Sequence, residues 1–230
     1  MRTEQAVSLL TKTQLLGALD AGALVPLADK ALERVYRRGQ LVFHQGDLGD
    51  ALFIVTEGLV KVFVTSEEGE EMVLVTLRPP ETFGELAVID GGPRSASAQA
   101  LEDTHVLVVT RATLLEALHE QPSLAEALLR SLGAVVRRLT EQASDLVFLD
   151  LHGRVAKLLL ALAQERGEAR GDAIVLDLHL TQSDLAGMVG GSRQSVNQIL
   201  RAFERRGYLV FHHRQVVIRR PDLLRRRAAP

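Results

Sequence analysis

The apolar positions of this chain change period twice. Across residues 3–30, Val7, Leu10, Leu15, Leu19, Leu24 and Leu27 recur among polar residues at helical spacing and predict short helices. From Glu33 to Thr110 the texture is short and β-branched: LFIV (52–55), LVKVFV (59–64), MVLVTL (72–77) and HVLVV (105–109). Gly39, Gly46, Gly49, Gly58, Gly69 and the Gly91-Gly92 pair cut these runs at strand-length intervals. That rhythm predicts an antiparallel sandwich or jelly-roll barrel, with SEEGEE (66–71) as an exposed hairpin tip.

Beyond Arg111 the period becomes helical, and Pro122 suits the first turn of a helix running to about Leu149. Along it Ala125, Leu128, Leu132, Val135, Leu139, Gln142, Leu146 and Leu149 alternate steps of three and four. Such a seam, with one polar member, predicts a two-stranded dimer interface built on Leu128, Leu132, Val135, Leu139 and Leu146. A single helix packed on its own barrel is the other reading.

Asp150 can cap a further helix over 152–167, which Gly167 ends. Two strand-like pieces around Ile174–Leu180, two helical segments joined at Gly190-Gly191 and a terminal hairpin follow. The expected divisions are residues 1–121, 122–149 and 150–230, in an α+β chain. Charge changes sign at the same place. Residues 1–150 hold 13 Lys and Arg against 22 Asp and Glu, a balance of −9. Residues 151–230 hold 14 against 7, a balance of +7, as expected if only the second half meets a polyanion.

The most specific stretch is LTQSDLAGMVGGSRQSVNQILRAFERRGYL (180–209). Thr181 and Asp184 resemble a capping box, and Ser192 can cap the next helix. On that second helix Val196, Ile199, Leu200 and Phe203 share one arc, while Arg193, Gln194, Asn197, Gln198 and Arg201 occupy roughly the opposite one. Arginine pairs bidentately with guanine, and Gln or Asn with adenine, so this face suits a DNA major groove. Thr181, Ser192 and Ser195, beside helix amino termini, suit phosphates. YLVFHHRQVVIRR (208–220) then supplies two strands around a His-His-Arg-Gln tip, the wing of a winged helix–turn–helix.

The chain has no cysteine, which excludes disulfides, thiolate nucleophiles and Cys-ligated zinc or iron–sulfur sites. No apolar run is long enough for a transmembrane helix and no leader opens the chain, so a cytoplasmic location is expected. Metal chemistry on a cupin-like barrel would need clustered histidines, and the barrel itself offers only His44 and His105. No catalytic constellation stands out, and a binding protein is expected rather than an enzyme.

Three ordered stretches, FGEL…PRSAS (83–97), DLVFLDLHGRVAKLLL (145–160) and the 180–200 motif, resemble the Crp/Fnr family of bacterial transcription regulators across nearly the whole chain. The resemblance implies a jelly-roll cyclic-nucleotide-binding barrel, a long dimerisation helix and a winged helix–turn–helix. It implies a homodimer on pseudo-palindromic promoter DNA with RNA polymerase as a partner. It also implies a cyclic nucleotide such as cAMP, with Gly84 and Glu85 on the ribose hydroxyl and Arg94 and Ser95 on the phosphate. Haem and iron–sulfur clusters are not expected. Where cAMP-responsive relatives carry an arginine and two small polar residues on the long helix, this chain has Val135, Leu139 and Thr140, and only Thr140 keeps a hydroxyl. The base is therefore left open, as is a regulator with no effector. In the reading helix the family's Glu is Gln194 and its following basic residue is Gln198, which relaxes the preference for cytosine amino groups.

Overall fold

The computed structural model describes residues 3–17, 19–171, 173–212 and 215–229. The chain packs as two units, Met1–Ser66 with Val73–Arg137, and Glu67–Met72 with Arg138–Pro230.

In the first unit, α1 (Thr3–Leu10) and α2 (Ala21–Lys30) precede a two-sheet barrel. Its strands are β1 (Leu32–Tyr36), β2 (Leu41–Phe43), β3 (Ala51–Glu57), β4 (Val60–Thr65), β5 (Glu71–Leu77) and β6 (Thr82–Phe83). A short helix, α3 (Glu85–Asp90), interrupts before β7 (Ser97–Ala100) and β8 (Thr104–Thr110). One sheet has the order β1-β8-β3-β6 and the other β2-β7-β4-β5, and every pairing whose register is defined is antiparallel. The predicted hairpin tip between β4 and β5 is exposed and turns at Gly69, φ +84°.

Strand alternation splits the apolar residues into two cores. Phe53, Val55, Val60, Ala98, Ala100, Val106 and Val108 fill the space between the sheets. From the other face of β3 and β8, Leu52, Ile54, Leu107 and Val109 pack against Leu10, Leu15, Leu24 and Leu27. Helix α4 (Arg111–Glu120) adds Leu114 to that outer core, and α5 (Pro122–Phe148) adds Leu124 and Leu128.

Leu128 is the point where the predicted seam shifts. It is 6% exposed inside its own barrel core, so it cannot also face a partner. Leu149 is buried too, and Val135 is half-buried. The apolar residues that α5 leaves exposed are Leu129 (69%), Val136 (61%), Leu139 (43%) and Leu146 (44%), with Val147 and Phe148 at its end. With half-buried Leu132 and exposed Ala143, the first four repeat in steps of three and four, partly one residue off the expected register. The heptad is present; the barrel claims the residue at its edge.

In the second unit α6 (Leu151–Arg166) starts at Asp150, whose Oδ1 accepts a hydrogen bond from Gly153 N at 2.8 Å. That bond, followed by the nearby Arg227 charge, holds the Asp150 carboxyl below its ordinary pKa. Lys157 Nζ joins α6 to the end of α5 through Glu141 at 2.6 Å and Asp145 at 2.7 Å. Gly167 ends α6 as predicted, but for want of space, not for backbone freedom. Its φ is −80°, and a Cβ there would collide with Ala163 O and Ile174.

Strands β9 (Glu168–Arg170) and β10 (Ala173–Asp177), helices α7 (Gln182–Val189) and α8 (Arg193–Arg205), and strands β11 (Leu209–His212) and β12 (Gln215–Ile218) follow. The sheet order is β11-β12-β10-β9. Of the predicted wing tip, His213 and Arg214 lie outside the described residues. The arginine-rich residues near the carboxy terminus form α9 (Pro221–Arg227). Leu224 is fully buried and Arg227 pairs with Asp150, so α9 is docked beside α6. Pro221 at the first helical position and Asp222 in the first turn are its sequence signals.

Candidate functional site: a buried arginine cradle and an exposed reading helix

The first candidate site is built where the loop after β2 meets the segment after α3. Arg94 N donates to Asp47 O at 2.8 Å and Gly46 N donates to Arg94 O at 2.8 Å, while Leu48 and Pro93 form an isolated bridge. These bonds fix the backbone, and the Arg94 side chain then turns inward. It is 5% exposed, an unusual state for an arginine.

Its surroundings explain how the charge is tolerated. Nη1 donates to Gly84 O at 2.7 Å and Nη2 to Ala51 O at 2.8 Å, which uses two of the five guanidinium N–H groups. The guanidinium lies 4.3 Å from the Phe43 ring centroid and 5.4 Å from that of Phe53. Phe53 stacks on Phe83 at 5.1 Å, so the cation rests on a packed aromatic floor. Burial pulls the Arg94 pKa below its ordinary value, although Asp50, Asp47 and Glu85 act in the opposite direction.

Glycine makes the room. Gly84 has φ +79°, and a Cβ there would sit 2.6 Å from Arg94 Nη1. A Cβ on Gly49 would stand 3.0 Å from Arg94 Nε and collide with Ala87. Gly84 and Gly91, both left-handed, bracket α3, a helix whose sequence reads only as a short apolar run. Glu85 opens α3 and is half-buried, and Ser95 is exposed directly after Arg94. Gly84, Glu85, Arg94 and Ser95 thus come together around one buried cation. Thr140, the fifth predicted ligand residue, is exposed on α5 within the second unit. The set is two donors, a guanidinium and a hydroxyl, and one acceptor, a carboxylate, at a glycine-lined turn. It fits an anionic group carried on a sugar.

His44 and His105 are both exposed. Among the described residues no group of three or more His, Cys, Asp or Glu side chains could hold a metal ion.

The second candidate site is α8 with the turn before it. Thr181 caps α7 through a complete capping box: Asp184 N donates to Thr181 Oγ1 at 3.1 Å and Thr181 N to Asp184 Oδ2 at 2.9 Å. Gly190, φ +62°, ends α7. Ser192 Oγ caps α8 by accepting from Ser195 N at 3.1 Å, and the two hydroxyls lie 2.8 Å apart. Val196, Ile199, Leu200 and Phe203 are all buried, and Phe203 stacks on Tyr208 at 5.7 Å. Arg193, Gln194, Gln198 and Arg201 are exposed, and Ser195 and Asn197 are half-buried. Sequence reasoning missed Gln182, whose Oε1 accepts from Asn197 Nδ2 at 2.9 Å across the two helices. Nothing in the spacing of 15 residues signals that contact.

Comparison with known proteins covers both sites. Residues 33–121 match the cyclic nucleotide-binding domain family, and residues 153–227 match the Crp-like helix-turn-helix domain family. The chain is 34% identical over 220 residues to a CRP-like cAMP-activated global transcriptional regulator of Mycobacterium tuberculosis, covering 96% of this chain and 98% of that protein. It is similar to the crystal structure of the Thermus thermophilus catabolite activator protein, with a TM-score of 0.54, 32% identity and coverage of 94% of this chain and 98% of that one. The fold is shared with FixK2 from Bradyrhizobium japonicum at a TM-score of 0.77 and 23% identity, over 87% of this chain and 98% of that one. A nucleotide-type barrel, a long helix and an exposed reading helix in this order place the chain in the Crp/Fnr family of transcription regulators.

Proposed function

We propose that the barrel binds a cyclic nucleotide, with cAMP the first candidate, and that binding controls how a homodimer reads pseudo-palindromic promoter DNA. The observation that carries this reading is the buried Arg94 cradle. A buried cation without an anionic ligand is costly. Glycines at 49 and 84 leave the room that its side chain occupies. In the bound state Arg94 and Ser95 hold the cyclic phosphate, and Gly84 and Glu85 hold the ribose hydroxyl. The Mycobacterium tuberculosis relative is described as cAMP-activated, which supports the same choice. The exposed stripe of Leu129, Val136, Leu139 and Leu146 supports a partner copy along α5. Two reading helices about 34–36 Å apart then meet successive major grooves. Arg193 takes a guanine, Gln194 and Gln198 read further bases, and Ser192, Ser195, Thr181 and Arg201 position the backbone. RNA polymerase in the cytoplasm is the further partner.

One observation favours a second reading, a regulator without an effector. Arg94 already donates to Gly84 O and Ala51 O, as a purely structural arginine does. Calorimetric titration of the full chain with cAMP and with cGMP separates the two. Saturable binding is expected for one of them, lost in Arg94→Ala and weakened about tenfold in Ser95→Ala, where one hydrogen bond to a charged group goes. Ser95 is exposed, so its variant keeps the fold even if Arg94→Ala does not. No heat with either nucleotide overturns the proposal.

A further inference from the structure

Gln182 and Asn197 form a side-chain hydrogen bond between α7 and α8, at the edge of the reading face. Its two ends rest on fixed backbone. Gln182 is the first residue of α7, directly after the doubly bonded cap at Thr181 and Asp184. Asn197 follows Val196, which is buried to 1% exposure. What remains free in each side chain is rotation about its own bonds, and the 2.9 Å bond restricts that freedom.

The consequence is chemical. Asn197 spends one N–H on Gln182 and keeps its Oδ1 and a second N–H, the acceptor–donor pair that matches adenine N6 and N7. An unrestrained amide offers either orientation, whereas this one has its acceptor and donor ends assigned. Asn197 stands one helical turn after Arg193 and only about 40° around the axis from it, at 100° per residue. The rise between them is about 6 Å, which corresponds to one or two base-pair steps.

We infer that Gln182 is a positioning residue that sets the Asn197 amide for an adenine within two base pairs of the guanine taken by Arg193. The inference rests on α8 being the DNA-reading helix. Gln182 carries no charge to attract a phosphate, and its role is to orient the side chain that reads the base.

Selection from a random-sequence duplex pool tests it, using the full chain with and without millimolar cAMP, followed by sequencing and competition assays on single-base variants of the selected site. The wild-type chain is expected to select a half-site with an A·T pair within two steps of a G·C pair. Asn197→Ala abolishes the preference at that A·T pair. Gln182→Leu lowers it about three- to tenfold, the worth of one hydrogen bond, and leaves the G·C preference intact. Gln182→Glu retains it, because a carboxylate oxygen accepts from Asn197 Nδ2 equally well. If Gln182→Leu weakens all sequences uniformly, Gln182 is a backbone contact and the inference is overturned. It is overturned equally if Gln182→Glu loses the preference along with Gln182→Leu. A wild-type chain that selects no motif in either arm overturns the reading function of α8, and the inference with it; a motif selected equally with and without cAMP contradicts only the effector.

Discussion

At the scale of single residues, the ligand-type site depends on where side chains are absent as much as on Arg94. Gly84 holds φ +79° and lies where a Cβ would press on the guanidinium. Gly84→Ala is expected to cost about 1–3 kcal/mol in backbone strain. It should also displace Arg94 from the Gly84 and Ala51 carbonyls. Chemical denaturation gives the first effect and nucleotide titration the second; a stable variant that binds like the parent would contradict the cradle. In the sequence Arg94 and Ser95 stand out through the resemblance of FGEL…PRSAS to the Crp/Fnr family. It could not reveal that Phe43 and Phe53 form the floor, because β2 and β3 reach Arg94 only through the closed barrel. Gln182 was hidden for a similar reason, since its partner is set by the angle between two helices.

Among the elements, strands and long helices followed from their periods, and the short or docked pieces did not. Helix α3 has six residues, too few for a period to declare itself, and α9 looks like a basic tail until Leu224 is seen buried. On α5 the expected seam includes Leu128, which the barrel core buries, while Leu129 and Val136 stay exposed, because a heptad pattern does not say which flank the barrel will cover. The two flanks make separable predictions. Leu128→Ala should destabilise the fold by about 2–5 kcal/mol, as a buried leucine does, and leave association largely intact. Val136→Glu should leave thermal stability of the chain near that of the parent at low concentration, but shift it to monomer in sedimentation. A monomeric Leu128→Ala with unchanged stability, or a dimeric Val136→Glu, would restore the register expected from the sequence alone.

For the whole molecule, the sign change in charge near residue 150 and the change of period near 111 and 122 made the order of parts legible. The boundary between the two packed units instead falls inside α5, after Arg137, since its first half packs on the barrel core and its second half pairs with α6 through Lys157. One helix therefore contributes residues to both units, and the proposed function couples nucleotide binding in the first to DNA reading in the second. The most direct test of that coupling is the affinity of the full chain for its selected DNA duplex, measured by fluorescence anisotropy with and without cAMP. cAMP is expected to tighten binding about tenfold or more, within the usual range of allosteric coupling, and Arg94→Ala to bind the duplex with or without cAMP at the parent's ligand-free affinity. DNA affinity unchanged by cAMP in the parent chain, or an undiminished cAMP response in Arg94→Ala, would contradict it.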